Sequence, residues 1–251
     1  MIVSWNELQR TCQKAFRGLG VPAGADDDAS FAVLWLQARG LDALAPLDAA
    51  LSALEHTAPR PLQLRLGGGK DGVDVLDAGD QPAVSVASDA IDFVVARADE
   101  RAGRAEALLI GVDGGVFVAG ALPQRPIPGR RARVEWEDGK TLRTLDVVSD
   151  RECRLCTALA DGTERTDGHP RDAVRIVIDG AAGGRWTKRR SSWRIDADEA
   201  ELARRAAHSV AHGIEVPEPL WTRLLAFAGR TLVPATRESR ERGAGGGNDS
   251  D

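Results

Sequence analysis

The sequence predicts an α+β fold: an N-terminal helical unit, a mainly antiparallel β-sheet middle, C-terminal helices and a flexible glycine-rich tail. Three observations carry this. Apolar residues recur at helical spacing up to about residue 58, switch to alternation from Leu62, and return to spacings of three and four after Asp196.

The helical start opens on Ser4-Trp5-Asn6-Glu7, a capping box in which the serine oxygen accepts the Glu7 amide and the glutamate reaches back. Leu8, Cys12, Ala15, Phe16 and Leu19 then form one apolar stripe, and Gly18, Gly20 and Pro22 end the helix. Asp26, Asp27 and Asp28 place negative charge where a second helix begins, which its macrodipole favours. That helix runs through Phe31, Val33, Leu34, Trp35 and Leu36, apolar on nearly every side, and stops near Gly40. Pro46 opens a third, with Leu47, Ala50, Leu51 and Leu54 behind it. Pro59 and Pro61 close a helical subdomain of residues 1–58.

Residues 60–195 read as a β-rich domain. Leu62, Leu64 and Leu66 alternate with polar residues, Gly67 to Gly72 make a turn, and Val73, Val75 and Leu76 return. Ala83 to Val86 reads as a short strand, and Ser88 as the cap of a helix through Ile91, Val94 and Val95. Asp113-Gly114-Gly115, between Leu108–Val112 and Val116–Ala119, is a hairpin signal. Arg133 to Trp136, Leu142 to Val148, Cys153 to Ala158 and Val174 to Ile178 continue as a meander. Residues 196–230 return to helix, one started by Asp196 and Glu199 and one by Pro217. Residues 231–251 form a polar tail.

Composition narrows the function. Hydrophobic residues make up 43% and charged residues 28% of the chain, enough for a sizeable core. A net charge of −5 speaks against a general nucleic-acid binder, and no stretch reaches the roughly 20 apolar residues of a membrane span. Lys14, Lys70, Lys140 and Lys188 are the lysines; the remaining positive charge is arginine, as a GC-rich bacterial genome would encode. The N-terminus shows no secretory pattern and three cysteines make no disulfide framework, so the expected location is cytoplasmic.

No self-contained catalytic motif stands out. A P-loop, a G-x-G-x-x-G between strand and helix and a G-x-S-x-G elbow are all missing, so no cofactor is implied. Cys153 and Cys156 form a C-x-x-C, with His169 and Cys12 as conceivable further ligands, but in a strand residues three apart face opposite sides, which favours two ordinary thiols. His208 and His212 share a helix face without the glutamate of a zinc protease motif, so no metal site is assigned. The most unusual segment runs from Arg185 to Arg194, with five positive charges and two indoles in ten residues. It suits an anion site, with guanidiniums on carboxylate or phosphate. It equally suits an edge strand with core tryptophans and solvated arginines.

Two resemblances add to this. Lys14-Ala15-x-x-Gly18-Leu19-Gly20 and Trp35-Leu36-x-x-Arg39-Gly40-Leu41-Asp42, together with Val233-Pro234-Ala235-Thr236-x-x-Ser239-Arg240-x-x-Gly243-Ala244-Gly245 and the closing Asn248, Asp249 and Asp251, resemble a bacterial family of domains of unknown function. The first forty or so residues also resemble the helical start of type 2 malate/lactate dehydrogenases, whose pattern there is Arg-Gly-x-Asp-Ser-His-Gly. Arg39-Gly40-Leu41-Asp42 fits; Ala43, Leu44 and Ala45 stand where Ser, His and Gly belong, so that family's active-site histidine has no counterpart. This second resemblance implies a shared helical packing unit.

The functional expectation is a metabolic protein that binds a small anionic metabolite, as an enzyme or an accessory subunit. Arg185, Arg189, Arg190 and Arg194 would supply charge, and Arg240 with the backbone at Gly243 and Gly245 would close over the ligand. The alternative is a non-catalytic interaction protein that docks a protein partner through its helical start or its tail.

Overall fold

The computed structural model describes residues 1–67, 73–139, 141–149, 152–159, 173–180 and 194–231. A short strand β1 (Ile2–Val3) leads into α1 (Trp5–Gly18), α2 (Ala25–Ala38) and α3 (Leu44–His56). The β-rich middle holds β2 (Gln63–Arg65), β3 (Asp74–Pro82), α4 (Ala87–Glu100), β4 (Ala105–Asp113), α5 (Val116–Ala121), β5 (Arg130–Asp138), β6 (Thr141–Ser149), β7 (Glu152–Leu159), β8 (Val174–Gly180) and β9 (Arg194–Ala197). Then come α6 (Glu199–His212), β10 (Ile214–Glu215) and α7 (Glu218–Gly229). The fold is α+β, as the sequence predicts.

Eight strands make one sheet in the order β2-β3-β4-β8-β5-β6-β7-β9, and β1 pairs antiparallel with β10 apart from it. β3 and β4 run parallel, joined across α4; the other neighbouring pairs are antiparallel. β8 does not extend the meander. It inserts between β4 and β5, where Val174, Ile176 and Ile178 are buried. A central strand is covered by neighbours on both edges, which this apolar alternation suits.

The capping box forms as read: Glu7 donates its amide to Ser4 Oγ at 3.2 Å and Ser4 donates its own to Glu7 Oε2 at 2.8 Å. Asp26 sits fully buried in the first turn of α2, where it accepts from the Gly24 amide and pairs with Arg17 at 2.7 Å. One continuous cluster of buried apolar side chains draws on the helices and the sheet together, from Leu8 and Phe16 through Leu36 and Leu51 to Leu109, Val134, Ile176 and Leu224.

Four local readings are corrected. Residues after Asp113 do not form a hairpin; Val116–Ala121 is helix α5, with Phe117, Val118, Ala119, Gly120 and Ala121 all buried. A short run apolar on every side carries no period that separates strand from buried helix. Gly120 shows why the helix fits: a Cβ there would lie 2.8 Å from the Ala32 carbonyl oxygen and 2.8 Å from Leu36 Cδ1, so only glycine lets α5 touch α2. Ala83–Ser85 is a 3-10 turn rather than a strand, tightened by Ser85 Oγ donating to the Pro82 carbonyl at 2.8 Å. The α4 N-cap is Val86, two residues before Ser88, and makes no side-chain bond. The α6 N-cap is Asp198, which accepts the Glu201 amide at 3.0 Å; Asp196 belongs to β9. At α6 the expected aspartate chemistry is present two residues later, whereas α4 starts without any side-chain cap.

The sheet carries a charged network on one face. Register places Arg133 opposite Asp146 and Glu135 opposite Arg175. Arg133 grips Asp146 with two bonds, Nε to Oδ1 at 2.6 Å and Nη2 to Oδ2 at 2.9 Å, both residues buried. Arg175 bonds Glu106 at 2.8 Å and lies 3.4 Å from Glu135, so the network spans β4, β8, β5 and β6. Paired guanidinium and carboxylate make this a structural network, since each buried charge is neutralised by the next strand.

Candidate functional site

The corner between α2 and α3, residues 35–45, is built from the sequence upward. Gly40 takes φ +73 at the end of α2, a backbone conformation that favours glycine, with the Arg205 side chain in van der Waals range beside it. Leu41 is buried in the core. Asp42 Oδ1 accepts the amides of Leu44 and Ala45 at 3.2 and 3.4 Å, which caps α3. α6 closes the other side: Ser209 Oγ donates to the Ala38 carbonyl at 3.1 Å and Arg205 Nη1 to the Arg39 carbonyl at 3.3 Å. These bonds satisfy acceptors that a helix end leaves open.

Three of the four residues in Arg39-Gly40-Leu41-Asp42 are thus consumed by the turn itself. The Arg39 side chain is not. Its guanidinium is half-buried, lies 4.4 Å from the Trp35 ring centroid and makes a long contact of 3.4 Å to the Trp35 carbonyl. Burial draws its pKa below the usual value against the pull of Cys153 and Glu199. It stays charged, as guanidinium does in proteins. Glu199 itself accepts the Cys153 amide at 2.8 Å. Among the described residues Arg39 has no carboxylate within ion-pair distance. Other partly buried arginines do: Arg97 with Asp74 at 3.0 Å, Arg125 with Asp28 at 2.6 Å, Arg133 with Asp146 at 2.6 Å and Arg175 with Glu106 at 2.8 Å. A half-buried guanidinium with no carboxylate in direct contact has donors to offer an anion.

Of the residues singled out in sequence, Arg194 opens the edge strand β9; its side chain is 81% exposed and pairs with Asp196 at 3.0 Å. Arg185, Arg189, Arg190, Arg240, Gly243 and Gly245 lie outside the described residues, as does His169. Cys153 and Cys156 are in β7, Cys156 buried and Cys153 partly so, while Cys12 is buried in α1. His208 and His212 sit in the last turns of α6 with rings stacked at 4.2 Å, and His212 Nδ1 lies 3.0 Å from the His208 carbonyl oxygen. Among the described residues no group of three or more His, Cys, Asp or Glu is arranged to hold a metal. Nor is any helix among them long and apolar enough to cross a membrane.

The corner and its helices fall in a stretch with relatives. Residues 3–105 match the model of one protein family, DUF3726. That family is described as a protein of unknown function. No curated protein matches the chain in sequence. In three dimensions nearly the whole chain is similar to malate/lactate dehydrogenase family enzymes. A dehydrogenase from Sinorhizobium meliloti superposes with a TM-score of 0.64 at 15% identity, covering 91% of this chain and 99% of that one. The malate dehydrogenase of Pyrococcus horikoshii gives 0.60 at 8% identity, with 92% and 95% covered. The sulfolactate dehydrogenase of Methanocaldococcus jannaschii gives 0.59 at 10% identity, with 91% and 97% covered. At such identities the likeness establishes the fold, and the shared helical start seen in Arg39-Gly40-Leu41-Asp42 extends to the entire architecture.

Proposed function

We propose that the protein binds a small carboxylic acid anion through Arg39 at the α2–α3 corner, as a binding protein or an accessory subunit of metabolism. The observation that carries this reading is the half-buried Arg39 guanidinium, which among the described residues has no carboxylate within ion-pair distance and feels Glu199 only from farther off, while its neighbours in the motif are all spent on the turn. Support comes from the fold: structural neighbours include proteins named for malate and sulfolactate, both small organic anions.

The same corner argues against inherited histidine chemistry. Ala43, Leu44 and Ala45 carry no titratable side chain, and Ala43 and Leu44 are buried. Proton transfer in the ordinary manner needs a group with a pKa near the working pH within hydrogen-bond reach, and this segment has none. Recognition without that step is the function the corner supports.

A thermal-shift titration with malate, lactate and sulfolactate tests the reading. A ligand held at about a hundred times its Kd adds about 2.7 kcal/mol of stability, which is a rise of about 5–10 °C for a chain of this size. The rise should disappear in Arg39→Gln while the unliganded melting temperature stays close to that of the wild type. If none of the three acids shifts the wild-type melt, the reading is wrong.

A further inference from the structure

One apolar strand whose alternation signals burial stays open. β2 ends the eight-stranded sheet: its inner edge pairs with β3, and its outer edge has no strand partner among the described residues. All of Gln63–Arg65 is exposed. Leu64 is 54% exposed and Leu66, just past the strand, 61%, whereas Leu62 before it packs against the core. Leu64 is the register partner of Leu76, which is fully buried and lies opposite Leu109 of β4. Opposed residues share a face of a sheet, so the leucine row of the core runs out to this edge and stops there uncovered.

Natural proteins blunt a free edge with unpaired charge, proline or a covering element. The other end of this sheet follows that rule, since β9 carries Arg194 and Asp196 and lies against α6. β2 does not. Its one charge, Arg65, is drawn inward onto Asp77 at 2.6 Å, and Pro61 stands before the strand rather than within it.

The sequence of the edge says what covers it. Leu62-Gln63-Leu64-Arg65-Leu66 has the same polarity pattern read from either end. Laid antiparallel on its own copy about a two-fold axis at Leu64, it sets Leu64 against Leu64, Gln63 against Arg65, and Leu62 beside Leu66. The leucines of both copies then share one face. On the other, the Gln63 side-chain carbonyl can accept from the Arg65 guanidinium of the second copy. A one-residue slip opposes leucine to glutamine or arginine. A two-residue slip sets Arg65 against Arg65 in one direction, like charges face to face. In the other direction it draws in Pro61, which has no N–H to pair.

We propose that β2 is a self-association edge, through which two copies of the chain join antiparallel at Gln63–Arg65 and continue one sheet across both. An isologous contact uses each edge once and closes as a dimer. A contact of this length falls below the roughly 1,200 Å² at which stable interfaces begin, so the dimer forms at about 1–100 μM.

Sedimentation velocity of the full chain across that range tests this. The wild type should pass from monomer to dimer with no larger species. Leu64→Lys and Leu64→Glu each place like charges on the axis and should weaken dimerisation about 10-fold or more. An equimolar mixture of the two should restore it, because opposite charges then meet, which happens only where residue 64 faces its own copy. Gln63→Arg leaves the leucines intact, opposes guanidinium to guanidinium, and should weaken the dimer as well. Leu64 and Gln63 are exposed, so all three variants should melt close to the wild type. The proposal is overturned if the wild type stays monomeric at about 100 μM, which would leave the edge to a different partner. It is equally overturned if Leu64→Lys or Gln63→Arg dimerises as the wild type does, or if the mixture of folded Leu64→Lys and Leu64→Glu stays monomeric.

Discussion

Replacing Asp74 should unfasten the start of β3 from α4. Its carboxylate is 1% exposed and accepts the Gly67 amide at 2.8 Å and Arg97 Nε at 3.0 Å, with Arg101 Nη1 at 3.2 Å. Burial pushes this carboxyl up, but the Gly67 amide and the Arg97 and Arg101 guanidiniums outweigh burial and hold it below its ordinary value. Asp74→Ala removes the acceptor of the Gly67 amide and the partner of two guanidiniums. Breaking a buried pair costs about 3–5 kcal/mol; Arg101 is 40% exposed and can rehydrate, which points to the lower end. About 3 kcal/mol corresponds to a loss of about 6–12 °C in Tm for a chain of this size, read by calorimetry at neutral pH. Asp74→Asn, which keeps the shape and an acceptor for Gly67, should lose less. A depressed folded pKa means the stabilisation is complete above the unfolded carboxylate range and fades as pH falls through the lower folded value. The gap between wild type and Asp74→Asn should therefore close on acidification below about pH 4. An Asp74→Ala melt within a degree of the wild type, or a gap that widens in acid, would refute the reasoning.

Two further outcomes follow from packing. Gly120→Ala forces a methyl against the Ala32 backbone and Leu36, and should cost about 1–3 kcal/mol in chemical denaturation; no loss would mean that α5 does not press on α2. The Cys12 thiol, pushed up to about 12 by burial, should resist iodoacetamide in the native protein at pH 8 and react once guanidinium unfolds the chain, as peptide mapping would show. Rapid native labelling of Cys12 would contradict its place in the core.

Much of the fold was legible because local chemistry and tertiary placement agreed. Ser4 and Glu7 cap α1 and the three aspartates open α2; alternation from Leu62 announces the edge strand β2, although Leu64 and Leu66 stay exposed there instead of forming a buried face. The misreadings fall where tertiary contact overrides a local signal. Asp113-Gly114-Gly115 resembles a hairpin turn, yet the run behind it is buried against α2 and coils into α5. The place of β8 between β4 and β5, and the pairing of β1 with β10, depend on contacts between residues far apart in sequence. The same limit governed the candidate site. Arg39 was visible in a motif, but that its guanidinium alone escapes the turn's bonding is a fact of three dimensions. Arg194 was noticed for its composition, and its place at the sheet edge comes from β9 pairing with β7.

The most direct measurement is the affinity of the purified chain for malate, compared between wild type and Arg39→Gln by isothermal titration. A guanidinium bond to a carboxylate is worth about 1.5–3 kcal/mol, so the variant should bind about 10- to 100-fold more weakly while folding normally. Equal affinity in the two proteins would remove Arg39 from the account and leave the α2–α3 corner as packing alone.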